Sequence, residues 1–324
     1  MVTATAAAAS GPTGSRERVI VCLPDIPELA FMGELPANVD VVLVGDEPAP
    51  LPDLSQVELI VPIPRVRPAL LALLDGPPGP LRVIQTPSAG VDWLIGRVPP
   101  GVRVCNARGA FDAPLAEWVL GAILAIQRGQ IRARDAQARA AWEPFEPDEL
   151  GGRRVVILGM GSIGNAIAER LRPFGADVVG IGRTRREGML GPDDLDAALP
   201  AADILVSMLP LTSATRGLLD ARRLALLPDG ALFVNGGRGR TVDTAALLAE
   251  LETGRLRAAL DVTDPEPLPP EHPLWRLPNV LVTPHMAGDS PRSAMRSFQI
   301  AGDQVRRYAA GEPLLNEVPR YLLT

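Results

Sequence analysis

The sequence predicts an α/β protein made of two doubly wound parallel-sheet domains. Three observations carry that expectation. Short aliphatic runs alternate with helical patterns along most of the 324 residues, the order that builds βαβ units. The runs are apolar throughout rather than alternating with polar residues, as strands are when both sheet faces are covered. Two longer helical stretches, one starting near Asp112 and one near Ser293, divide the strand–helix series into blocks.

In the first block, strands are expected at Val19–Leu23, Val39–Val44, Leu59–Val61 and Val83–Gln85. Asp112 is the expected N-cap of the first long helix, with Pro114 in its first turn. Leu115, Trp118, Val119, Ala122 and Ile126 then recur at helical spacing. The Arg-rich stretch Arg128–Arg139 is expected to continue as solvated helix. In the second block, strands are expected at Val155–Leu158, Val178–Ile181, Ile204–Met208, Leu232–Asn235 and Val280–Val282, with helices over Ala166–Phe174 and Ala245–Glu252. The last long helix should run from Ser293 to about Ala310. Residues 1–15, rich in Ala, Thr and Gly, read as a disordered tail. Residues 16–106 together with 292–324 are expected to form one domain, and 107–291 the other.

Composition removes several kinds of chemistry. A net charge of −6 offers no electrostatic case for binding nucleic acid or an anionic membrane. All 32 basic residues are arginine, so Schiff-base, pyridoxal-phosphate and Walker-lysine chemistry are excluded together. Cys22 and Cys105 are too few for a disulfide framework or a four-thiolate zinc site, and no metal site is expected. No apolar run approaches the roughly 18–20 residues of a bilayer span. The N-terminal stretch lacks a basic region followed by a long apolar one, so a cytoplasmic setting is the expectation. Acid–base work by histidine could fall only to His272 or His285.

The run Val155-Val156-Ile157-Leu158 leads into Gly159-Met160-Gly161-Ser162-Ile163-Gly164 and then an amphipathic helix. GxGxxG alone is a weak signal. Between a buried strand and a helix, it is the turn in which glycines let the backbone approach a pyrophosphate, while the helix N-terminus supplies free N–H groups. Gly159, Gly161, Ser162, Ile163 and Gly164 are therefore candidate cofactor contacts. A carboxylate roughly 20 residues further on would bind a ribose 2′-hydroxyl. Here Arg183 stands 19 positions after Gly164, followed by Thr184, Arg185 and Arg186. A carboxylate would repel a 2′-phosphate, whereas arginine pairs with one bidentately. NADP(H) is thus favoured, with NAD(H) held through the Thr184 hydroxyl as the other reading.

Three segments just past strands or in rigid loops look chemical. Arg238 lies in Asn235-Gly236-Gly237-Arg238-Gly239-Arg240, at a carboxyl strand end where open α/β sheets place ligands. It could hold a substrate carboxylate and polarise a carbonyl. Glu266 lies in Asp264-Pro265-Glu266-Pro267, and His285 in Thr283-Pro284-His285-Met286. A ketone reduction needs a proton donor and a cation for the substrate anion; His285, Glu266 and Arg238 supply both, the carboxylate fixing the imidazole tautomer. Each also has a plainer reading: a structural histidine, a solvated loop acid, or an arginine in competition with Arg240. His272 is the rival histidine, in a polar, proline-rich loop.

With these motifs in this order, the chain resembles the D-isomer-specific 2-hydroxyacid dehydrogenases. The resemblance covers about Leu59 to Val318. It rests on Ser88-Ala89-Gly90-Val91-Asp92, Asn106 to Glu117, the glycine-rich turn, Leu209-Pro210-Leu211-Thr212 with Thr215, Asn235 to Arg238, Asp261 with Glu266-Pro267-Leu268-Pro269, and Thr283-Pro284-His285. It implies a homodimer of two-domain subunits, each domain a Rossmann-like doubly wound parallel sheet, with the active site in the cleft between a flavodoxin-like substrate domain and a dinucleotide domain. It implies Arg238, Glu266 and His285 as catalytic residues, and Asp261 at the nicotinamide carboxamide. Pro210, Thr215, Gly236, Gly237 and Gly288 would lie along the cofactor. Backbone N–H groups of Ala89, Gly90 and Val91 would hold the substrate carboxylate. The basic turn is closest in kind to NADPH-dependent glyoxylate/hydroxypyruvate reductases, so reduction of a small 2-oxo acid is the expected reaction.

Phosphoglycerate is disfavoured as substrate. The stretch Val61-Pro62-Ile63-Pro64-Arg65 has prolines where a phosphate would need N–H donors, although Arg65 could compensate. No regulatory domain is seen after Val318, and no long N-terminal extension of the formate-oxidising kind. Trp93, Phe111 and Trp142 are candidates to shape a pocket for an apolar substituent, or else to pack in the core. A second class of function is a dinucleotide-sensing corepressor, which can keep the catalytic residues. A third, an imine reductase, needs a bundle-forming C-terminal half that this chain lacks.

Overall fold

The structure, a computed structural model, describes residues 18–45, 52–63, 74 and 79–323. The expected tail at 1–15 and Arg65 lie outside the described residues. Contacts divide the chain into two units: Met1–Ala107 with Ala294–Pro319 and Leu323, and Arg108–Ser293 with Arg320–Leu322 and Thr324.

Unit 1 holds β1 (Val19–Pro24), β2 (Val39–Val44), β3 (Leu59–Ile60), β4 (Val83–Gln85) and β5 (Arg103–Cys105), in the order β2-β1-β3-β4-β5 with every pairing parallel. Val19, Val21, Leu23, Leu59 and Val83 share a core with Phe298, Ala301, Val305 and Tyr308 of the last helix. That helix passes so close that a Cβ on Gly302 would lie 2.2 Å from the Met32 carbonyl oxygen.

Unit 2 opens with α1 (Asp112–Gln127) and α2 (Gln130–Ala138). Its sheet holds β6 (Arg154–Leu158), β7 (Asp177–Ile181), β8 (Ile204–Ser207), β9 (Leu232–Asn235), β10 (Arg257–Leu260) and β11 (Val280–Val282), all parallel in the order β11-β10-β9-β8-β6-β7. Between strands lie α3 (Ser162–Leu171), α4 (Leu195–Ala198), α5 (Ala221–Leu224) and α6 (Thr244–Glu252); α7 (Pro291–Ala310) follows β11. Alternate side chains of each strand face opposite ways. Val155, Ile157, Val206 and Val234 pack with Ala116, Val119 and Ile123 of α1 and Ile167 and Leu171 of α3. Val156, Leu158, Leu205 and Phe233 pack on the other face with Leu247 and Leu251 of α6. Both faces are covered, which is why the strands read as continuous aliphatic runs.

Three local expectations are corrected. Asp112 is the first residue of α1 rather than its cap; Phe111 holds the cap position, with no side-chain cap bond, and the Asp112 carboxylate meets the helix dipole instead. The Arg-rich stretch is a separate helix: Gly129 takes φ 61 between α1 and α2, and a Cβ there would meet the Phe145 ring at 2.3 Å. Two strands were not expected. β5 has only three residues, and β10 reads Arg-Ala-Ala-Leu, where alanine carries little strand preference.

Candidate active site

The glycine-rich turn leaves β6 at its carboxyl end. Gly159 takes φ 98 and donates its N–H to the Ile181 carbonyl at 2.9 Å. A Cβ on Gly164 would stand 2.2 Å from the Gly159 oxygen, so the turn closes only on glycine there. Gly161 differs. A Cβ on it would meet nothing within 4 Å, and as N-cap of α3 it leaves the first N–H groups without a side-chain partner. Open space before uncapped helix donors at Ser162 and Ile163 fits the pyrophosphate of a dinucleotide.

Leu158 pairs with Ile181 across β6 and β7, so Arg183 leaves the sheet at the same end as the glycine turn. The basic turn there is uneven. Arg185 is ion-paired with Asp194, whose carboxyl is held below its ordinary range first by the Gly191 N–H and then by Arg185. Arg183 lies with its guanidinium 4.3 Å from the centre of the Tyr321 ring, and no carboxylate pairs with it among the described residues. Thr184 is exposed. Beyond β8, Thr215 Oγ1 donates to the Pro210 carbonyl at 2.6 Å and accepts from the Thr212 N–H at 2.9 Å, closing that loop on itself. A groove of about 920 Å³ along β7, lined in part by Val179, Arg185, Met189 and Ala198, includes neither the glycine turn nor the groups described next.

Three neighbouring strands place the acid–base residues. Asn235, Leu260 and Val282 stand in register at the ends of β9, β10 and β11. Arg238, Glu266 and His285 follow them by three, six and three residues. Asn235 holds the first loop, its Oδ1 accepting from the Gly237 N–H and its Nδ2 donating to the Arg238 carbonyl, each at 3.1 Å. Thr241 Oγ1 adds a 2.7 Å bond to that carbonyl. The Arg238 and Glu266 loops touch: a Cβ on Gly239 would lie 2.0 Å from the Thr263 oxygen, and Arg240 Nε is 3.3 Å from Asp264 Oδ1.

His285 Nδ1 and Glu266 Oε1 are 2.5 Å apart. A carboxylate accepts there, so Nδ1 carries a proton and Nε2 is the nitrogen left to exchange one. Nε2 has no hydrogen-bond partner among the described residues, and the imidazole is 48% exposed. His285 takes φ 52, uncommon for a residue with a Cβ. Asp261 imposes it. The Asp261 carbonyl accepts from the His285 N–H at 2.8 Å. Its carboxylate accepts from Thr283 Oγ1 at 2.6 Å and from the N–H groups of Met286 and Ala287 at 2.9 and 3.0 Å. That grip is the feature sequence reasoning missed, because nothing in the spacing of Asp261 and Ala287 shows which donors the carboxylate meets.

His272 is placed elsewhere. Its Nδ1 accepts from the Leu274 N–H at 3.3 Å and caps the short 3-10 helix Pro273–Trp275. Gly288 lies against Phe111, 3.3 Å from a Cβ built on it, and Gly236 against Met208. Trp142 is 95% exposed and packs in no core. In unit 1, Ser88 Oγ bonds the Gly90 carbonyl at 2.9 Å and Asn106 Nδ2 the Ala89 carbonyl at 2.8 Å. Those bonds fix the turn after β4 by its carbonyls. The N–H groups of Ala89, Gly90 and Val91 have no acceptor among the described residues.

Residues 120–287 match the family described as D-isomer specific 2-hydroxyacid dehydrogenase, NAD binding domain. The chain belongs to that family. It is therefore one of a family of NAD(P)-dependent oxidoreductases. Among curated relatives, a glyoxylate reductase of Thermofilum pendens is 34% identical over 257 residues, covering 74% of this chain and 75% of its own. Among solved structures, an NADPH-dependent glyoxylate/hydroxypyruvate reductase from Sinorhizobium meliloti, in complex with NADP and sulfate, aligns with TM-score 0.81 and 31% identity. It covers 95% of this chain and 100% of its own. A D-isomer specific 2-hydroxyacid dehydrogenase from Xanthobacter autotrophicus, in complex with NADPH and MES, aligns with TM-score 0.78 and 32% identity, covering 94% and 98%. The 2-hydroxyacid dehydrogenases share the two parallel-sheet α/β units described above. Among the described residues, no helix is long and apolar enough to cross a membrane.

Proposed function

We propose that this 2-hydroxyacid dehydrogenase reduces a small 2-oxo acid of the glyoxylate or hydroxypyruvate kind with NADPH. The observation that carries the acid–base part is the His285 Nδ1–Glu266 bond with Nε2 left unpartnered. The cofactor choice rests on Arg183, a cation with no acidic partner among the described residues, at the strand end where a 2′-phosphate would be read. The NADP-bound relatives support that choice by likeness alone.

When bound, the nicotinamide supplies a hydride to the substrate carbonyl carbon. Gly159 to Gly164 and the N-terminus of α3 would hold the pyrophosphate, with Pro210, Thr215, Gly236, Gly237 and Gly288 bordering the cofactor. His285 Nε2 gives a proton to the carbonyl oxygen as charge develops there, and Glu266 keeps the imidazolium oriented from the other side. Arg238 holds the substrate carboxylate and polarises the carbonyl. Unit 1 serves as the substrate domain in this reading, with the N–H groups of Ala89, Gly90 and Val91 as its donors for a carboxylate. Unit 2 serves as the dinucleotide domain. In this reading the working species is a homodimer.

NADPH oxidation against glyoxylate, hydroxypyruvate, pyruvate, phenylpyruvate and branched 2-oxo acids tests the reading. Glyoxylate or hydroxypyruvate should give the highest kcat/KM, and NADPH a lower KM than NADH. His285→Gln should lower kcat at least about 100-fold, while His272→Gln should leave it near wild type. Preference for NADH, or an active His285→Gln enzyme, would overturn the cofactor or the proton-donor assignment respectively.

A further inference from the structure

We infer that Tyr321, in the 3-10 turn Arg320–Leu322 near the end of the chain, is a positioning residue that sets cofactor selectivity by holding Arg183 for a 2′-phosphate. The inference rests on the NADPH reading and deepens it. Tyr321 and Arg183 are 138 positions apart, yet both belong to unit 2. The guanidinium lies over the phenol ring, 4.3 Å from its centre.

The geometry of that contact separates Arg183 from its neighbours. A ring holds a guanidinium by its charge and not by a hydrogen-bond acceptor, so it ties up none of the N–H donors in an ion pair. A carboxylate takes the edge, and with it the donors that a phosphate would need. Arg185 spends its edge on Asp194. Among the described residues, the Arg186 guanidinium reaches only the Met189 sulfur, 3.8 Å from Nη2. Arg183 is thus the arginine of the turn that is both held and left with its charge unmatched among the described residues. An exposed arginine otherwise moves among many rotamers, and binding a phosphate then has to order it. One held over a ring is ordered beforehand, so the ring raises affinity for a 2′-phosphorylated nucleotide without touching that nucleotide. Tyr321 is itself 44% exposed, so the ring is not a core residue whose loss would unfold the unit.

The test is binding of adenosine 2′,5′-bisphosphate and of 5′-AMP to the full chain by titration calorimetry, paired with NADPH and NADH kinetics. The wild-type protein should bind the bisphosphate at least about tenfold more tightly. Tyr321→Leu should weaken bisphosphate binding about three- to tenfold, change 5′-AMP binding less than twofold, and lower the ratio of NADPH to NADH kcat/KM to match. Tyr321→Phe, which keeps the ring, should retain wild-type selectivity. Equal loss on both ligands in Tyr321→Leu, no loss at all, or a Phe variant as weak as the Leu variant would each overturn the assignment while the NADPH reading stands. A wild-type protein that binds the two ligands equally would remove the NADPH reading and the Tyr321 assignment with it.

Discussion

Asp261 shows how much of a loop can hang on one buried side chain. It is 3% exposed, and its carboxylate takes three hydrogen bonds from the loop that carries His285. The resemblance alone would set this residue at the nicotinamide. In the structure its oxygens accept from Thr283, Met286 and Ala287, and they hold a backbone with positive φ at His285. Asp261→Ala removes the acceptor and leaves the buried Ala287 N–H and the part-buried Met286 N–H without it. A stability cost of about 1–3 kcal/mol is expected, along with a kcat that falls more than KM for the 2-oxo acid changes. Thermal unfolding and steady-state kinetics read the two effects, and a wild-type kcat would mean that the loop keeps its shape without the carboxylate.

At the scale of the element, two glycines of one turn separate folding from binding. Gly164 closes the β6–α3 turn by backbone contact, so a methyl group there must push the Gly159 carbonyl aside. Gly161 faces open space, so a methyl group there disturbs nothing in the protein. Gly164→Ala is expected to lower Tm by several degrees, as overpacking by about 1–3 kcal/mol does. Gly161→Ala should leave Tm within about a degree of wild type and weaken dinucleotide binding about tenfold or more. Differential scanning calorimetry and nucleotide titration distinguish them. Loss of Tm in Gly161→Ala with unchanged binding would show that its open side is not where the pyrophosphate goes. The same scale explains why the Arg128–Arg139 stretch forms a helix of its own. Helical spacing runs on through Gly129, but its left-handed φ of 61 and the Phe145 ring beside it mark the break.

For the whole molecule, the two units can be told apart by their thiols. Cys22 in β1 and Cys105 in β5 are both buried in unit 1, and unit 2 has no cysteine. Burial pushes both thiols up to about 12 from an ordinary 9.0. Because the folded state holds those protons more tightly, stability should fall as pH rises from 9.0 towards about 12. At pH 8 a disulfide reagent should label neither thiol in the native protein and both in denaturant, at the rate at which unit 1 opens. Rapid labelling of the native protein would show that unit 1 is open where these strands pair.

Much of this protein was legible along the chain. Aliphatic runs covered on both faces, a glycine turn between strand and helix, and Arg238 and His285 just past strands are local patterns, whereas the strand before Glu266 was not legible. Local spacing sufficed for those patterns because each depends on residues only a few positions apart. What the sequence could not decide was which of several like residues is engaged with what. His285 meets Glu266 and His272 caps a turn; Arg185 meets Asp194 and Arg183 meets Tyr321. Some of those partners lie far along the polypeptide, and even near ones are chosen by loop geometry. Hydrogen bonds and ring contacts act over a few ångströms of space, so only the folded arrangement could make the choice.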